Sequence, residues 1–445
     1  MQSERSKLPS VYRLECYVMN YEWGVSPANS LIQSLASQSD SIVNHGGEKP
    51  IAELWMGAHP KSAATIIDPR NHSLRLRLDQ AITSEANHFL GRELTRAGIQ
   101  HLPFLFKILE AQSPLSIQAH PDKKLAIELH RQNPEQYPDN NHKPELVIAL
   151  SPVQALAGFR RPGQIFGFMQ NIPEFASLCS KDSGLYEPYQ APRPELLSRQ
   201  QKRNWIKHHY TNLMQSSPAE IQEAAESFLF RLQQTGLEQA RLEDRLFAEF
   251  ARQFGTADSG LFNIYFLNYI ELKPGQALLL GANEPHAYLG GQMLECMASS
   301  DNVIRAGLTT KPKDIQTLVQ ILHYHFGPPP VINLHQHSDQ ENWRESYRNQ
   351  VPDFVVEKIA LNTSAVLPLA APQRPGIYLV LEGGAELQVL DRQGELENQH
   401  YQWNSGSVFL VPGDLEQRGF ALSLKKMDAH PRCILYHATV MNSFR

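Results

Sequence analysis

The sequence predicts a mainly β protein with a helical insertion: two jelly-roll β modules plus an α-helical domain set into the first of them. Three observations carry that prediction. KPGQALLLGANEPHAY runs as turn, apolar strand, Gly, Pro and His, and GSVFLVPGD repeats the rhythm later without the histidine. Short strands punctuated by tight turns are the texture of a double-sheet jelly roll. Between the strand-rich parts, SPAEIQEAAESFLFRLQQTGLEQARLEDRLFAEFARQFG places apolar residues at helical spacing with few strand formers. Finally, a chain of 445 residues is too long for one small core, so two or three domains are expected.

Along the chain, residues 1–150 mix short strands with turns. AELWMG (52–57), FLFKILEA (104–111), LSIQAH (115–120) and ELVIAL (145–150) read as strands, with helices near 83–97 and 122–132. Residues 155–255 read as mostly helical. Strand texture returns near residue 261 with LFNIYFLNYIELKPGQALLLGANEPHAYLGG. GPPPVINLHQH (327–337) reads as a linker or crossover, and IYLVLEGGAELQVL and GSVFLVPGD as strand–turn–strand units. The expected division is a discontinuous cupin-like domain, 1–154 with 259–326. A helical insertion, 155–258, interrupts it, and a C-terminal cupin-like domain without metal, 327–445, follows. No repeat of 20–50 residues is present.

Hydrophobic residues make up 42% and charged residues 20%, a composition of globular proteins. The formal net charge of −5 gives no reason to expect nucleic acid or an anionic membrane as a partner. Cys16, Cys179, Cys296 and Cys433 are far apart and form no C-x-x-C pair. That argues against a disulfide framework and a zinc finger, and for reduced thiols. The N-terminal MQSERSKLPSVYRLECYVMNYEWG has no apolar signal core, and no run approaches the about 18 apolar residues of a membrane span. A cytoplasmic protein is expected.

The stretch SPLSIQAHPDKK (113–124) places Gln118 and His120 two apart at a strand end, so they share a face. Cupin metal sites take two such ligands, a carboxylate a little later, and a histidine from a second motif. His286 in GANEPHAYLGG fits the second motif, and Glu145 in YPDNNHKPELVIAL fits the carboxylate. An amide oxygen, a carboxylate and two imidazoles form a donor set suited to Zn²⁺. Spacing alone leaves a second reading open, in which His120 is a hydrogen-bonded core histidine. His323/His325 in LHYHFG and His335/His337 in LHQHS are also H-x-H pairs. They flank the Pro-rich loop with no carboxylate strand, and read as surface or packing residues.

Two longer stretches bear a resemblance. YPDNNHKPE (137–145) resembles, at every fixed position, the Y-x-D-x-N-H-K-P-E signature of type I mannose-6-phosphate isomerases of the cupin superfamily. HAYLGGQMLECMASSDNVIRAGLTTK (286–311) resembles the same family's second signature, with Thr310 where the family usually has proline. That departure is expected to affect only a turn after the site. SIQAHPDK matches the family's zinc-ligand segment. NYEWG (20–24), ELWMGAHP (53–60) and PFLFKIL (103–109) look like further landmarks. The resemblance covers the first 150 residues and about 260–315. It implies that Gln118, His120, Glu145 and His286 hold one Zn²⁺ per chain.

The reaction so implied interconverts mannose 6-phosphate and fructose 6-phosphate through a cis-enediol. It needs an electrophile, a base and a grip on phosphate. Zinc would supply the electrophile. Arg305 is expected to stabilise oxyanion charge, with Asp301 orienting it. Glu295 and Lys143 are the candidate bases. A carboxylate beside these cations is expected to stay ionised and be the weaker base. Tyr288 shares a face with His286 and is expected to bond a sugar oxygen. Lys107 and Ser116 are the candidates for phosphate, because a buried lysine without a partner would be costly. Arg160 and His59 are weaker candidates for the cavity. The C-terminal module lacks the ligand set. The expected partner is a small phosphosugar, with no nucleic acid and no membrane, and the chain is expected to be a monomer. Alternative readings are an isomerase or epimerase of another phosphosugar, or a sugar-binding cupin without catalysis. An iron dioxygenase would prefer imidazole over Gln118.

Overall fold

The computed structural model describes residues 8–68, 71–181, 194–369, 372–391 and 396–441, without the side chains of 71–74, 195 and 396–400. Its first module is organised by one long strand, His286–Ala298. The beginning of this strand pairs with Val153–Phe159 and meets Gln118 of Ile117–Ala119. Its second half pairs with Phe104–Ala111 on one side and Glu145–Ala149 on the other. The strand therefore runs through both sheets of a jelly roll, and it turns the corner at Gly290–Gly291. The register shifts between Tyr288 and Gly290, and Gly291 adopts φ 115°. A Cβ on Gly291 would lie 2.6 Å from the Pro152 carbonyl oxygen, so the corner needs glycine.

The expected strand 104–111 coincides with Phe104–Ala111, which is buried throughout, as expected for a strand covered on both faces. The expected helix near 122–132 is Lys123–Gln132, and the Asp122 side chain caps it by accepting from Leu125 N. The region near 83–97 holds three short helices, Leu78–Ser84, Ala86–Phe89 and Gly91–Arg96. Residues 155–159 are not helical. Val153–Phe159 is a strand that pairs with Leu267–Leu272, and the first helix after it starts at Pro162.

The helices that follow carry their own start signals. Ser198 with Gln201, and Ser217 with Glu220, form capping boxes for Arg199–Met214 and Pro218–Thr235. The apolar faces meet in an aromatic core that includes Phe175, Phe228, Phe247, Phe262 and Tyr265.

The C-terminal part is a sandwich. Trp343–Tyr347, Val355–Leu361, Cys433–Thr439, Gly376–Glu382 and Val408–Val411 form one sheet. Leu367–Leu369, Ala421–Lys426, Gly384–Leu390 and Leu396–Asn404 form the other. The N-terminal strand Tyr12–Met19 belongs to both modules. Tyr12 and Arg13 pair with Leu410 and Phe409, while Tyr17–Met19 pair with Trp55–Glu53. The four cysteines are free and buried. Among the described residues, no helix is long and apolar enough to cross a membrane.

Candidate metal centre and active-site cavity

His120, Glu145 and His286 come from three different strands or strand ends and meet in the first module's interior, all essentially buried. The Nε2 atom of His120 lies 3.2 Å from one Glu145 oxygen, and that of His286 lies 3.3 Å from the other. Neither contact has the geometry of a hydrogen bond, so both Nε2 atoms are buried without a partner. Unpartnered buried nitrogens are rare. Here they converge with a carboxylate, and the ligand atoms all lie within 4.8 Å of one another. This donor set fits Zn²⁺.

Each imidazole is oriented by its far nitrogen. His120 Nδ1 lies 2.7 Å from the Asn302 carbonyl oxygen and His286 Nδ1 3.0 Å from that of Glu284. Each carbonyl places the proton on Nδ1 and leaves Nε2 free as a ligand. Burial drives the His120 pKa down to about 4, so the ring is neutral near pH 7. Burial pushes the Glu145 carboxyl up. The Lys143 ammonium, 3.3 Å away, outweighs that and holds it well below its usual range.

Gln118 lies between His286 on one neighbouring strand and Arg305 on the other, directly opposite both. Directly opposite residues share a face. Gln118 and Glu145 open onto a cavity of about 760 Å³, which Ser116, His59, Lys107, Lys143, Tyr288, Glu295, Asp301 and Arg305 also line. The cavity thus gathers every residue expected at the site except Arg160, with His120 and His286 against Glu145 at its wall. Arg160 is held elsewhere: its guanidinium bonds Glu243 at 3.0 Å and stacks over Phe168.

Several expected relations differ. Lys107 is buried but not partnerless, so the argument that it needs phosphate loses its premise. Its Nζ donates to Glu295 at 2.9 Å, lies 3.5 Å from Glu53 and sits over the Trp55 ring. Burial works against the ammonium, but Glu295 and Glu53 overcome it and raise the Lys107 pKa. Burial pushes the Glu295 carboxyl up as well, and Lys107 offsets only part of that. The two partners therefore pull in opposite directions, and the 2.9 Å contact supports a charged lysine. Asp301 does not reach Arg305. It lies 2.9 Å from Lys61 Nζ and 3.5 Å from His59 Nε2. Arg305 is half-buried, and its guanidinium has no hydrogen bond or ion pair with any described residue. Thr310 lines the cavity rather than merely turning the chain after it.

Other cavity residues escaped the sequence reading. Glu53, Trp55, Tyr21 and Lys311 lie on the wall, and Gln253 and Phe254 reach it from the end of helix Leu242–Phe254. Asp139 is another. It accepts from Ser300 Oγ at 2.8 Å and from Asp301 N at 2.7 Å, while Asn302 Nδ2 donates to its carbonyl at 2.7 Å. These bonds tie the loop before Glu145 to the turn that orients His120.

A jelly roll with buried histidines and a carboxylate opening on a polar cavity defines a protein of the cupin type with a candidate metal centre. Comparisons with known proteins narrow the class. A profile of the type I phosphomannose isomerase catalytic domain matches residues 11–162. Human mannose-6-phosphate isomerase is 38% identical over 380 residues, 84% of this chain and 88% of that protein. Mannose-6-phosphate isomerase 2 of Arabidopsis thaliana is 34% identical over 412 residues, 91% of this chain and 90% of its own. A crystal structure of zinc-bound mannose 6-phosphate isomerase superposes with a TM-score of 0.78 at 26% identity, covering 97% of this chain and all of its own. A mutant of phosphomannose isomerase from Salmonella typhimurium matches equally well. The chain belongs to the type I mannose-6-phosphate isomerases.

Proposed function

We propose that this chain interconverts mannose 6-phosphate and fructose 6-phosphate by moving a proton between C1 and C2 of the open-chain sugar through a cis-enediol. The observation that carries the reading is the convergence of two unpartnered buried imidazole nitrogens on Glu145 beside a cavity that also holds the unpaired Arg305. In this reading Gln118, His120, Glu145 and His286 hold one Zn²⁺. When bound, the ion polarises the carbonyl.

The chain's own groups do the rest. Glu295 takes the proton from C2; the freed pair forms the C1–C2 double bond as the C1 carbonyl pair moves onto O1, a proton passes from O2 to O1 beside Arg305, and Glu295 returns its proton to C1 as the C2 carbonyl forms. Burial raises its pKa, which makes it a stronger base than an exposed carboxylate. Arg305 stabilises the charge that develops on the sugar oxygens, and among the described residues no carboxylate pairs with it. Tyr288, whose OH donates to Glu145 at 3.4 Å, lines the same wall and orients a sugar oxygen. Ser116 and Lys311 are left to receive the phosphate, since Lys107 is neutralised by two carboxylates.

The test is a coupled assay with mannose 6-phosphate before and after chelator treatment, with zinc added back. Activity that disappears and returns with zinc is the expected result. A folded, zinc-loaded chain with no activity on this sugar would overturn the substrate, and full activity without metal would overturn the mechanism.

A further inference from the structure

The pair His323 and His325 has no carboxylate near it in sequence, but the fold supplies one. Glu284 reaches it from the turn that leads into the His286 strand. His325 Nδ1 lies 2.9 Å from Glu284 Oε1, His323 Nδ1 lies 3.9 Å from the same oxygen, and the two rings are 5.2 Å apart between centroids. One ligand atom from each of the three residues lies within 4.8 Å of the others. Donors around a tetrahedral zinc with bonds of about 2.1 Å stand about 3.4 Å apart, so small rotamer changes suffice.

The arrangement is held from behind. Tyr324, between the histidines, adopts φ 51° and is fixed by its OH donating to the Val319 carbonyl at 2.7 Å and by stacking on Phe159. Asn283 adopts φ 61°, donates its side-chain amide to Asp122 at 3.1 Å, and lies 3.2 Å from His323 Nε2. Left-handed backbone is costly for residues other than glycine, and these anchors hold it in place. Unlike the inner centre, both imidazoles are about half exposed. His323 also lines a second cavity of about 520 Å³, together with Asn283, Asp122 and Glu128. Arg199 and Arg203 face His325 and oppose a cation. Glu284 and the cavity's two carboxylates offset them.

We propose that Glu284, His323 and His325 form a second, surface site for a divalent transition metal of the zinc type, completed by water. Two imidazoles and a carboxylate suit zinc, cobalt or nickel better than calcium or magnesium. The site is separate from the inner centre but shares a residue with its support, because the Glu284 carbonyl accepts from His286 Nδ1.

The experiment titrates Zn²⁺ by calorimetry into the full chain with its inner centre already filled. One additional equivalent is expected for the wild type. In His325→Ala and, separately, in His323→Ala, that equivalent should weaken about tenfold or more, with the inner zinc and the isomerase rate unchanged. Glu284→Gln should weaken it similarly. Circular dichroism and zinc content of each variant exclude misfolding as the cause. The rival site is His335 and His337, which bond the two oxygens of Glu345 at 2.6 Å each. No additional equivalent, or one that persists in His325→Ala and vanishes in His335→Ala, would overturn the proposal.

Discussion

Replacing Lys107 by Met separates a structural lysine from a phosphate-binding one. The ammonium is buried and lies 2.9 Å from Glu295 and 3.5 Å from Glu53. Methionine keeps the packing over Trp55 but leaves two buried carboxylates with no cation between them. Breaking a buried ion pair from one side costs about 3–5 kcal/mol. With a denaturant slope near 3 kcal/mol/M for a large chain, the urea midpoint should fall by about 1 M.

The pH dependence follows from the two directions. The Lys107 pKa is raised on folding, so its contribution is fully present below its unfolded value of about 10.4. It is lost only as pH rises through the folded value, so the wild type gains a constant amount between about pH 6 and 9. In Lys107→Met, the Glu295 carboxyl, already raised by burial, rises further. The folded variant then holds a proton that the unfolded chain releases, and its deficit shrinks as pH falls. Adding Glu295→Gln should recover about 1–3 kcal/mol. A lysine that only binds phosphate would instead change KM and leave the ligand-free midpoint alone. An unchanged midpoint, or a loss that Glu295→Gln does not reduce, would refute the reasoning.

Arg305→Ala should keep its zinc and lose about 10²–10³ in kcat, measured by the coupled assay alongside metal analysis. Asn302→Ala removes the side chain that holds the Asp139 loop against the carbonyl orienting His120, so zinc affinity should fall about 10–100-fold in a chelator competition. Gly307→Ala should cost about 1–3 kcal/mol and lower kcat, because its Cβ would come within 2.3 Å of Gly260. The urea midpoint and the rate should move together.

The cluster of His120, Glu145 and His286 was legible because its signals are local. Gln118 and His120 sit two apart on one strand, and each motif carries its histidine or carboxylate at a strand end. The strand at 104–111 was legible for a similar reason, as an apolar run broken only by Lys107 and Glu110. Register was not legible. Nothing in the sequence says that Glu295 falls opposite Lys107, and Lys107 opposite Trp55, yet that row explains why the lysine needs no ligand. Parity along the long strand was also hidden. His286, Tyr288 and Glu295 cannot all face one side of a regular strand. The corner at Gly290–Gly291 resets the alternation, and the paired glycines were the only available hint. His323 and His325 were set aside because their carboxylate, Glu284, is distant in sequence.

The helical block shows why an insertion can matter to chemistry it does not perform. Its last helix ends at Phe254, and the chain then passes through the short turn Ser259–Phe262. Asp258 accepts from Gly260 N at 2.6 Å and from Leu308 N at 2.7 Å, and Ser259 Oγ donates to the Ala306 carbonyl. These bonds clamp the turn onto strand Ile304–Gly307, so closely that only glycine fits at both 260 and 307. The pairing of that strand with Ile117–Ala119 slips between Arg305 and Gly307. A bulge of this kind re-aims a side chain, and the one it re-aims is Arg305, opposite Gln118. The block therefore supplies Gln253 and Phe254 to the cavity wall and also fixes the backbone behind the unpaired guanidinium. A chain that kept the four proposed ligands but lost this clamp would be expected to hold zinc and still turn over poorly.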